Sequence, residues 1–134
     1  MTTQEKIEFK ELNNEIAKAM KHILGLKDNW DDNSCPSFNQ EQWKRAIDYL
    51  KKLSKKFFSE YKLIIQTPNI LPVADSSIDI TWSSQSMDFT INFPNDLKEL
   101  PCFYGKDTDG NEIEGIISTD NLNSVILLWL MIHQ

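Results

Sequence analysis

Three aspartates, Asp28, Asp31 and Asp32, flank Trp30 in a polar segment of the chain. Clustered carboxylates can bind Mg²⁺ or work as a general acid and base, which is the chemistry of a metal-dependent hydrolase or nuclease. No histidine, lysine or cysteine motif accompanies the three acids. Aspartate also favours turns, because its side chain bonds to nearby backbone. We therefore expect turn formation and helix capping here, with Trp30 anchoring the loop to the core.

A second acidic segment contains Asp107, Asp109 and Asn111, which have the i, i+2, i+4 spacing of a calcium-binding loop. The rest of that pattern is missing, since Glu112 stands where the loop glycine belongs and Ser118 where the bidentate glutamate belongs. The segment is better interpreted as the tip of a β-hairpin.

No nucleophile or cofactor motif is present elsewhere. The two histidines, His22 and His133, lie at opposite ends of the sequence, and Cys35 and Cys102 have no metal-ligand spacing. The GxSxG, P-loop, GxGxxG and HExxH patterns are absent. We therefore expect no catalytic residue, no metal ligand and no cofactor, and whether the chain is an enzyme stays open, with a non-enzyme favoured.

Strict alternation of apolar and polar residues marks the centre of the chain. Met87–Phe93 alternates without a slip, and so do residues 78–82 just before it. This is the period of strands with one dry face and one wet face, and the short polar linker 83–86 predicts an antiparallel hairpin. The wet face of that hairpin carries acids, hydroxyls and an amide but no lysine or arginine: Asp79, Thr81, Asp88, Thr90 and Asn92.

Further strands are predicted on both sides of this hairpin. Residues 63–72 contain Pro68 and Pro72, which predicts an edge strand or an extended approach to the sheet, because proline donates no ladder hydrogen bond. Residues 102–117 form a second hairpin around Asp109-Gly110, for which we expect a type I′ turn. Between the two hairpins, residues 94–101 are expected to form one helical turn.

Two helices precede the strands. The first is expected over residues 4–24, with Thr2 and Glu5 as a capping box and Gly25 at its carboxyl end. The second begins after Asn39, with Gln42 three residues on in a box-like cap.

One helix follows the strands, capped by Asp120. Its eight consecutive apolar residues, 125–132, are too few for a membrane span, which takes about 20 residues. This helix either packs over the sheet, the alternative we favour, or contacts another chain.

Together these elements predict one α+β domain over residues 1–134. Two N-terminal helices and one C-terminal helix pack on an antiparallel β-meander of four or five strands. The predicted core comprises Leu12, Ile16, Trp30, Trp43, Ile47, Leu50, Ile78, Ile80, Trp82, Phe89, Ile91, Phe93, Leu128 and Trp129.

Charge is unevenly distributed along the chain. The net charge is -6, and residues 63–134 contain 2 lysines against 10 acids, whereas residues 1–62 contain 12 Lys and Arg against 10 acids. This balance argues against binding to nucleic acid or to an anionic membrane, even though six cations lie on one face of the second helix. The acidic half either keeps the strands soluble or faces a basic partner. The polar N-terminus lacks the pattern of a signal peptide, so we expect a cytoplasmic protein with reduced thiols.

Three segments resemble small bacterial proteins that have an Asn-Trp-Asp-Gly loop and a Tyr-Gly hairpin. They are residues 29–31 between two helices, residues 77–82, and residues 104–115, and the likeness spans about residues 26–130. Asp32 stands where that family has glycine. The resemblance implies a compact α+β protein of unassigned activity from an accessory or defence-type operon, and it transfers no catalytic residue.

These observations favour a non-enzymatic protein-binding module, similar to an antitoxin, an immunity protein or an inhibitor. The residues expected to contact a basic protein partner are Asp79, Thr81, Asp88, Thr90, Asn92 and Trp129. One alternative is a protein that self-assembles, for example as a homodimer, through the C-terminal helix that carries Trp129. The other is a metal-dependent hydrolase or nuclease that uses Asp28, Asp31 and Asp32.

Overall fold

The computed structural model describes residues 9–28, 30, 37–118 and 124–133, and these form an α+β fold. The described helices are α1 (Lys10–Leu24), α2 (Gln40–Tyr61) and α3 (Ser124–His133). The strands are β1 (Asn69–Pro72), β2 (Ile78–Ser83), β3 (Met87–Phe93), β4 (Cys102–Asp107) and β5 (Glu112–Ile116). The predicted fold class, with helices on both sides of the strands in sequence, is confirmed.

The five strands form one antiparallel sheet in the order β1-β2-β3-β4-β5, which is the predicted meander. Each strand pairs with its neighbour in sequence, so every connection is a hairpin or a short turn. In the central hairpin Ile80 lies opposite Ile91 and Trp82 opposite Phe89, as the alternation requires. The short β1 forms one edge of the sheet, as its flanking prolines predict.

One face of the sheet is covered by the helices and forms the core. α1 contacts β1 and α2, while α2 also contacts β3 and α3. Full burial of a large apolar side chain contributes about 1.5–3 kcal/mol, so this layer is the main source of stability. The indole N–H of Trp82 donates to the Gln66 carbonyl at 2.8 Å, which satisfies the one polar atom of that buried side chain. The buried strand residues are Ile70, Ile78, Ile80, Trp82, Met87, Phe89, Ile91, Phe93 and Phe103.

The start of α2 has the predicted cap with one difference. The Asn39 side chain accepts a hydrogen bond from the Gln42 backbone N–H at 2.8 Å, which satisfies one free N–H of the first turn. The Gln42 side chain does not close a capping box. It is fully buried, its amide donates to the Ser76 carbonyl, and its oxygen accepts from Asn95 at 3.3 Å. Gln42 therefore connects α2 to two loops at one end of the sheet.

The other helix ends differ in part from the expectations. Gly25 follows the last residue of α1 as expected, but it has a φ of -83° and so does not adopt the left-handed conformation of a C′ glycine. The described part of α1 begins at Lys10, and the expected caps at Thr2, Glu5 and Asp120 lie outside the described residues.

Two turns were predicted wrongly. Residues 94–101 contain no helix, and their chain reversal is instead a turn in which the Glu99 N–H donates to the Asp96 carbonyl at 3.0 Å. At the second hairpin the Gly110 N–H donates to the Asp107 carbonyl at 3.2 Å, and only Gly110 has a positive φ. A type I′ turn needs two positive φ angles, so this is a three-residue loop with glycine in the left-handed region after a type I turn.

α3 packs on the sheet through one side only. Ile126, Leu127, Trp129 and Leu130 are buried, whereas Leu128, a predicted core residue, is 48 % exposed. Leu128 is therefore a wrong assignment, because only one face of the helix meets the rest of the described fold. Trp30, also assigned to the core, is half-buried and packs against Phe38 at a ring distance of 5.8 Å.

Candidate protein-binding surface

The face of the sheet that turns away from the helices holds all five polar residues that were predicted to contact a partner. Side chains alternate between the two faces of a strand, and the inward positions of β2 and β3 are buried. The register places Asp79 opposite Asn92, and Thr81 opposite Thr90. These residues, with Asp88, are half-buried or exposed and lie together on the outward side, which we call the outer face.

The outer face extends over all five strands in three rows. The first row is Leu71, Asp79, Asn92, Cys102 and Ile116. The second is Asn69, Thr81, Thr90, Tyr104 and Glu114, and the third is Ser83, Asp88, Lys106 and Glu112. The members on β1, β4 and β5 were not assigned from the sequence, although the alternation of the second hairpin contains the signal for those on β4 and β5.

Side-chain hydrogen bonds fix one corner of the outer face. The Asn92 amide donates both to Asp79 Oδ1, at 2.7 Å, and to the Ser77 hydroxyl, at 2.8 Å. Ser77 in turn bonds to Asp75 through its backbone N–H at 2.9 Å. Burial raises the pKa of Asp79, the Asn92 bond lowers it and the nearby Asp75 carboxylate raises it further. The hydrogen bond from Asn92 thus holds the Asp79 side chain in one orientation, while burial makes its ionised form less favourable.

Charge on the outer face is predominantly negative. Four carboxylates, on Asp79, Asp88, Glu112 and Glu114, are opposed by one cation, Lys106, whose Nζ lies 3.9 Å from Glu112.

The negative charge of the outer face affects the pKa of Tyr104. Partial burial raises the pKa of its hydroxyl, and so do the neighbouring carboxylates of Glu112 and Glu114. The phenol therefore stays protonated and donates to Glu112. Since like charges raise the cost of adding another anion, the face attracts cations and repels acids.

A shallow depression lies near the middle of the outer face. Its volume is about 530 Å³, and its lining combines polar and apolar side chains. Ile116 is 63 % exposed there, and Cys102 is a free, exposed thiol. The depression is lined by Thr90, Asn92, Cys102, Phe103, Tyr104, Glu114, Gly115 and Ile116. It gives a partner's side chain a place to enter an otherwise flat sheet.

Trp129 is separate from this surface. It was predicted to contact a partner, but it is 8 % exposed and packs under the sheet beside Gly105 and Ile113. The Trp129 indole occupies the space that the absent side chain of Gly105 leaves open, which explains its burial. The apolar side chains that α3 does present outward are Val125, Leu128 and Ile132.

The aspartates of the predicted acidic loop give no metal site in the part of the chain that is described. The exposed Asp28 carboxylate accepts a hydrogen bond from the Ser37 N–H at 2.8 Å, and this bond lowers its pKa. Such a bond is the turn chemistry expected for aspartate. Asp31 and Asp32 lie outside the described residues, within which no group of three His, Cys, Asp or Glu side chains could hold a metal ion.

A histidine–aspartate pair, unseen in the sequence, lies at the tip of the second hairpin. His133 Nε2 is 3.3 Å from Asp107 Oδ2, and His133 Nδ1 is 2.8 Å from the Trp129 carbonyl. Both ring nitrogens therefore face acceptors, so neither is available as a general base. The Ser86 hydroxyl donates to the His133 carbonyl at 3.0 Å, not to the ring. The group resembles a catalytic triad in composition but has the bonding of a structural contact.

The basic face of α2 is partly neutralised. Lys44 pairs with Asp48 at 2.8 Å, and Lys56 pairs with Glu60 at 2.9 Å. Arg45 donates to the carbonyl groups of Asp96 and Glu99, so it caps the turn after β3. Three of the six cations are thus engaged within the fold, which weakens the argument for phosphate binding.

No protein-family model matches the chain, and no curated protein or solved structure is significantly similar to it. The resemblance to the small bacterial proteins stays a prediction. No helix among the described residues is both long and apolar enough to cross a membrane.

Proposed function

We propose that this chain is a non-enzymatic protein-binding module, of the antitoxin, immunity or inhibitor kind, that uses the outer face against a basic partner. One observation carries the proposal. Asp79, Thr81, Asp88, Thr90 and Asn92 share one face of the sheet, and the described helices pack on the other. A flat polar surface without a deep cleft suits a protein partner better than a small substrate.

The charge of the outer face supports a basic partner. Its carboxylates on Asp79, Asp88 and Glu114 form no ion pair with a lysine or arginine in the described structure, and only Glu112 has a cation within 4 Å. A partner that supplies lysine or arginine would gain both attraction and faster association. Asp79 strengthens the inference, because a carboxylate with a raised pKa costs stability when ionised and so fits a functional role.

The setting that we propose follows from the same features. An exposed free thiol, Cys102, is compatible with the reducing cytosol. An accessory or defence-type operon, which the resemblance implies, would pair such a module with a basic nuclease or toxin.

Affinity capture from the source cell's lysate tests the proposal. The tagged protein is compared at about 0.05 M and about 0.5 M salt, because screening weakens binding between charged surfaces. A basic protein should co-purify at low salt and be lost at high salt. The same protein should fail to co-purify with the double variant Asp79→Lys/Asp88→Lys, in which two negative charges of the outer face become positive.

A matched control separates the face from the overall charge. The double variant Glu60→Lys/Glu99→Lys changes the net charge equally but at exposed positions on α2 and in the turn after β3. This control should retain the partner. Equal capture by both double variants would contradict a role for the outer face.

Self-association through α3 is the second candidate. Val125, Leu128 and Ile132 are each about half exposed or more and follow each other at spacings of three and four, so they form one apolar stripe. A homodimer would bury this stripe. Leu128→Lys should then convert the dimer to a folded monomer in light scattering, whereas a protein that is already monomeric would remove this candidate.

A further inference from the structure

We propose that the outer edge of β5, which pairs with no other strand among the described residues, accepts an extended, basic segment of the partner as a sixth strand of the sheet. This inference rests on the proposed function and specifies how the partner binds. Main-chain hydrogen bonds would supply the affinity, and side chains on the outer face would supply the selectivity.

The backbone of β5 is oriented for such pairing. The Asp107 N–H donates to the Asn111 carbonyl at 3.0 Å, and the Ile117 N–H donates to the Pro101 carbonyl at 2.8 Å. In an antiparallel pair the bonded residues alternate, so Asn111, Ile113, Gly115 and Ile117 turn their backbone toward β4. Glu112, Glu114 and Ile116 therefore direct N–H and C=O groups outward, and the sheet order ends at β5.

The opposite edge is poorly suited to the same role. β1 has only four residues and is bounded by Pro68 and Pro72, neither of which can donate a ladder hydrogen bond. Prolines and short length are common ways in which proteins block an edge strand. β5 contains no proline, and Ile116 at its end is 63 % exposed.

The side chains of β5 indicate what kind of strand would pair. Glu112, Glu114 and Ile116 all project onto the outer face, so an added strand would place every second residue beside two carboxylates and one apolar side chain. Lysine or arginine at alternate positions of the incoming strand would be complementary in charge to the two carboxylates. The incoming strand would thus extend the outer face beyond Glu112 and Glu114, on its acidic side.

Pairing between two copies of β5 is disfavoured by the same residues. An antiparallel dimer centred on Glu114 would set Glu114 against its own copy and Glu112 against Ile116. Like charges placed directly opposite destabilise a strand pair. The acidic residues therefore disfavour self-pairing in this register and suit the edge to a basic segment.

A synthetic peptide tests the inference. The probe has about seven residues with lysine alternating with threonine, a length that matches an ordinary strand. Hydrogen exchange at backbone amides, followed by NMR, gives the readout. In the free protein the amides of Glu112, Glu114 and Ile116 should exchange fast while those of Ile113 and Gly115 are protected. Saturating peptide should slow exchange at the three outward amides by about tenfold or more.

Two variants at one position separate strand pairing from charge attraction. Glu114→Gln removes the charge but keeps the outward N–H, whereas Glu114→Pro removes both and leaves the bonds to β4 intact. Proline should weaken peptide binding at least about tenfold more than glutamine does. A second peptide with the same residues, but with its lysines grouped together, controls for total charge and should protect these amides less than the alternating peptide does.

Failure of this inference differs from failure of the proposed function. One outcome overturns strand addition but supports binding through the acidic outer face. In it, the alternating peptide binds the wild-type protein without protecting the three outward amides, and it does not bind the variant Asp79→Lys/Asp88→Lys. Equal affinity of the proline and glutamine variants overturns strand addition as well. Absence of any peptide binding also overturns strand addition, and the lysate capture then judges the proposed function alone.

Discussion

His133 Nε2 lies 3.3 Å from Asp107 Oδ2, although 26 residues separate the two side chains in sequence. Both are largely buried, with side-chain exposures of 13 % and 7 %. The imidazole also stacks near the Trp129 indole, at a ring distance of 4.2 Å. The pair therefore joins the end of α3 to the turn between β4 and β5, and the Ser86 hydroxyl adds the turn between β2 and β3.

Asp107 should make the fold sensitive to acid. Hydrogen bonds from Asn111 lower its pKa, as do those from His133 and the Asp109 backbone. A group with a lowered folded-state pKa stabilises the fold above its unfolded-state pKa, and this contribution disappears as pH falls through the folded-state value. Asp107→Asn should therefore flatten the decline of the urea midpoint between about pH 5 and about pH 2. Asp109→Asn, at the exposed tip of the same turn, should keep the wild-type decline, and identical curves for all three proteins would contradict the assignment.

Substitutions of Trp129 and Leu128 should have very different effects on stability, although the two residues are adjacent in sequence. Truncation of a buried tryptophan typically costs about 3–5 kcal/mol, and surface substitutions usually stay within about 0.5 kcal/mol. Trp129→Ala should therefore lower the free energy of unfolding by the larger amount and Leu128→Ala by the smaller one. Urea denaturation measures both, and equal effects would contradict the orientation of α3.

Gly105 should not tolerate a side chain. A Cβ atom there would lie 2.8 Å from the Phe89 ring, 3.1 Å from Trp129 Nε1 and 3.2 Å from Ile113. Overpacking of this kind costs about 1–3 kcal/mol, because the neighbours must leave their preferred rotamers. Gly105→Ala should lower the urea midpoint accordingly, and Lys106→Ala, at the next but exposed position, serves as the control. An unchanged midpoint for Gly105→Ala would show that α3 does not pack on β4 at this point.

Gln42 should matter more to stability than a glutamine on a helix surface. Gln42→Leu would leave the Ser76 carbonyl and the Asn95 amide without the partner they have now. Each of the two hydrogen bonds lost contributes about 0.5–1.5 kcal/mol to stability. Gln40→Leu, at the exposed first position of α2, should change stability by no more than about 0.5 kcal/mol. A comparison of the two free energies of unfolding decides whether the buried network is stabilising.

The sheet was predictable because its evidence is local. Alternation in Met87–Phe93 sets which side chains are buried, and a slip of one residue would expose Phe89 and Ile91, so the register follows from the pattern. The turn at Gly110 was less predictable, since the dipeptide Asp109-Gly110 is compatible with both a two-residue and a three-residue loop. Loop length, set by pairing of Asp107 with Asn111, decided between them.

Contacts between distant segments could not be predicted from the sequence. Gln42 suits a capping box in sequence, but burial under the Ser76 loop redirects its side chain. Likewise, the eight apolar residues of α3 carry no period, so Leu128 and Trp129 were indistinguishable until the position of the sheet was known. The outer face lies between these cases, because alternation identifies its residues but only the strand order shows that they adjoin.

The association rate of the captured partner, measured against salt concentration, tests the central claim most directly. Attraction to an acidic face accelerates association at low salt, and screening removes this effect. Wild-type protein should associate about tenfold or more faster at about 0.05 M than at about 0.5 M salt, whereas Asp79→Lys/Asp88→Lys should be slow at both. An association rate that is independent of salt and equal in the two proteins would contradict binding through the outer face.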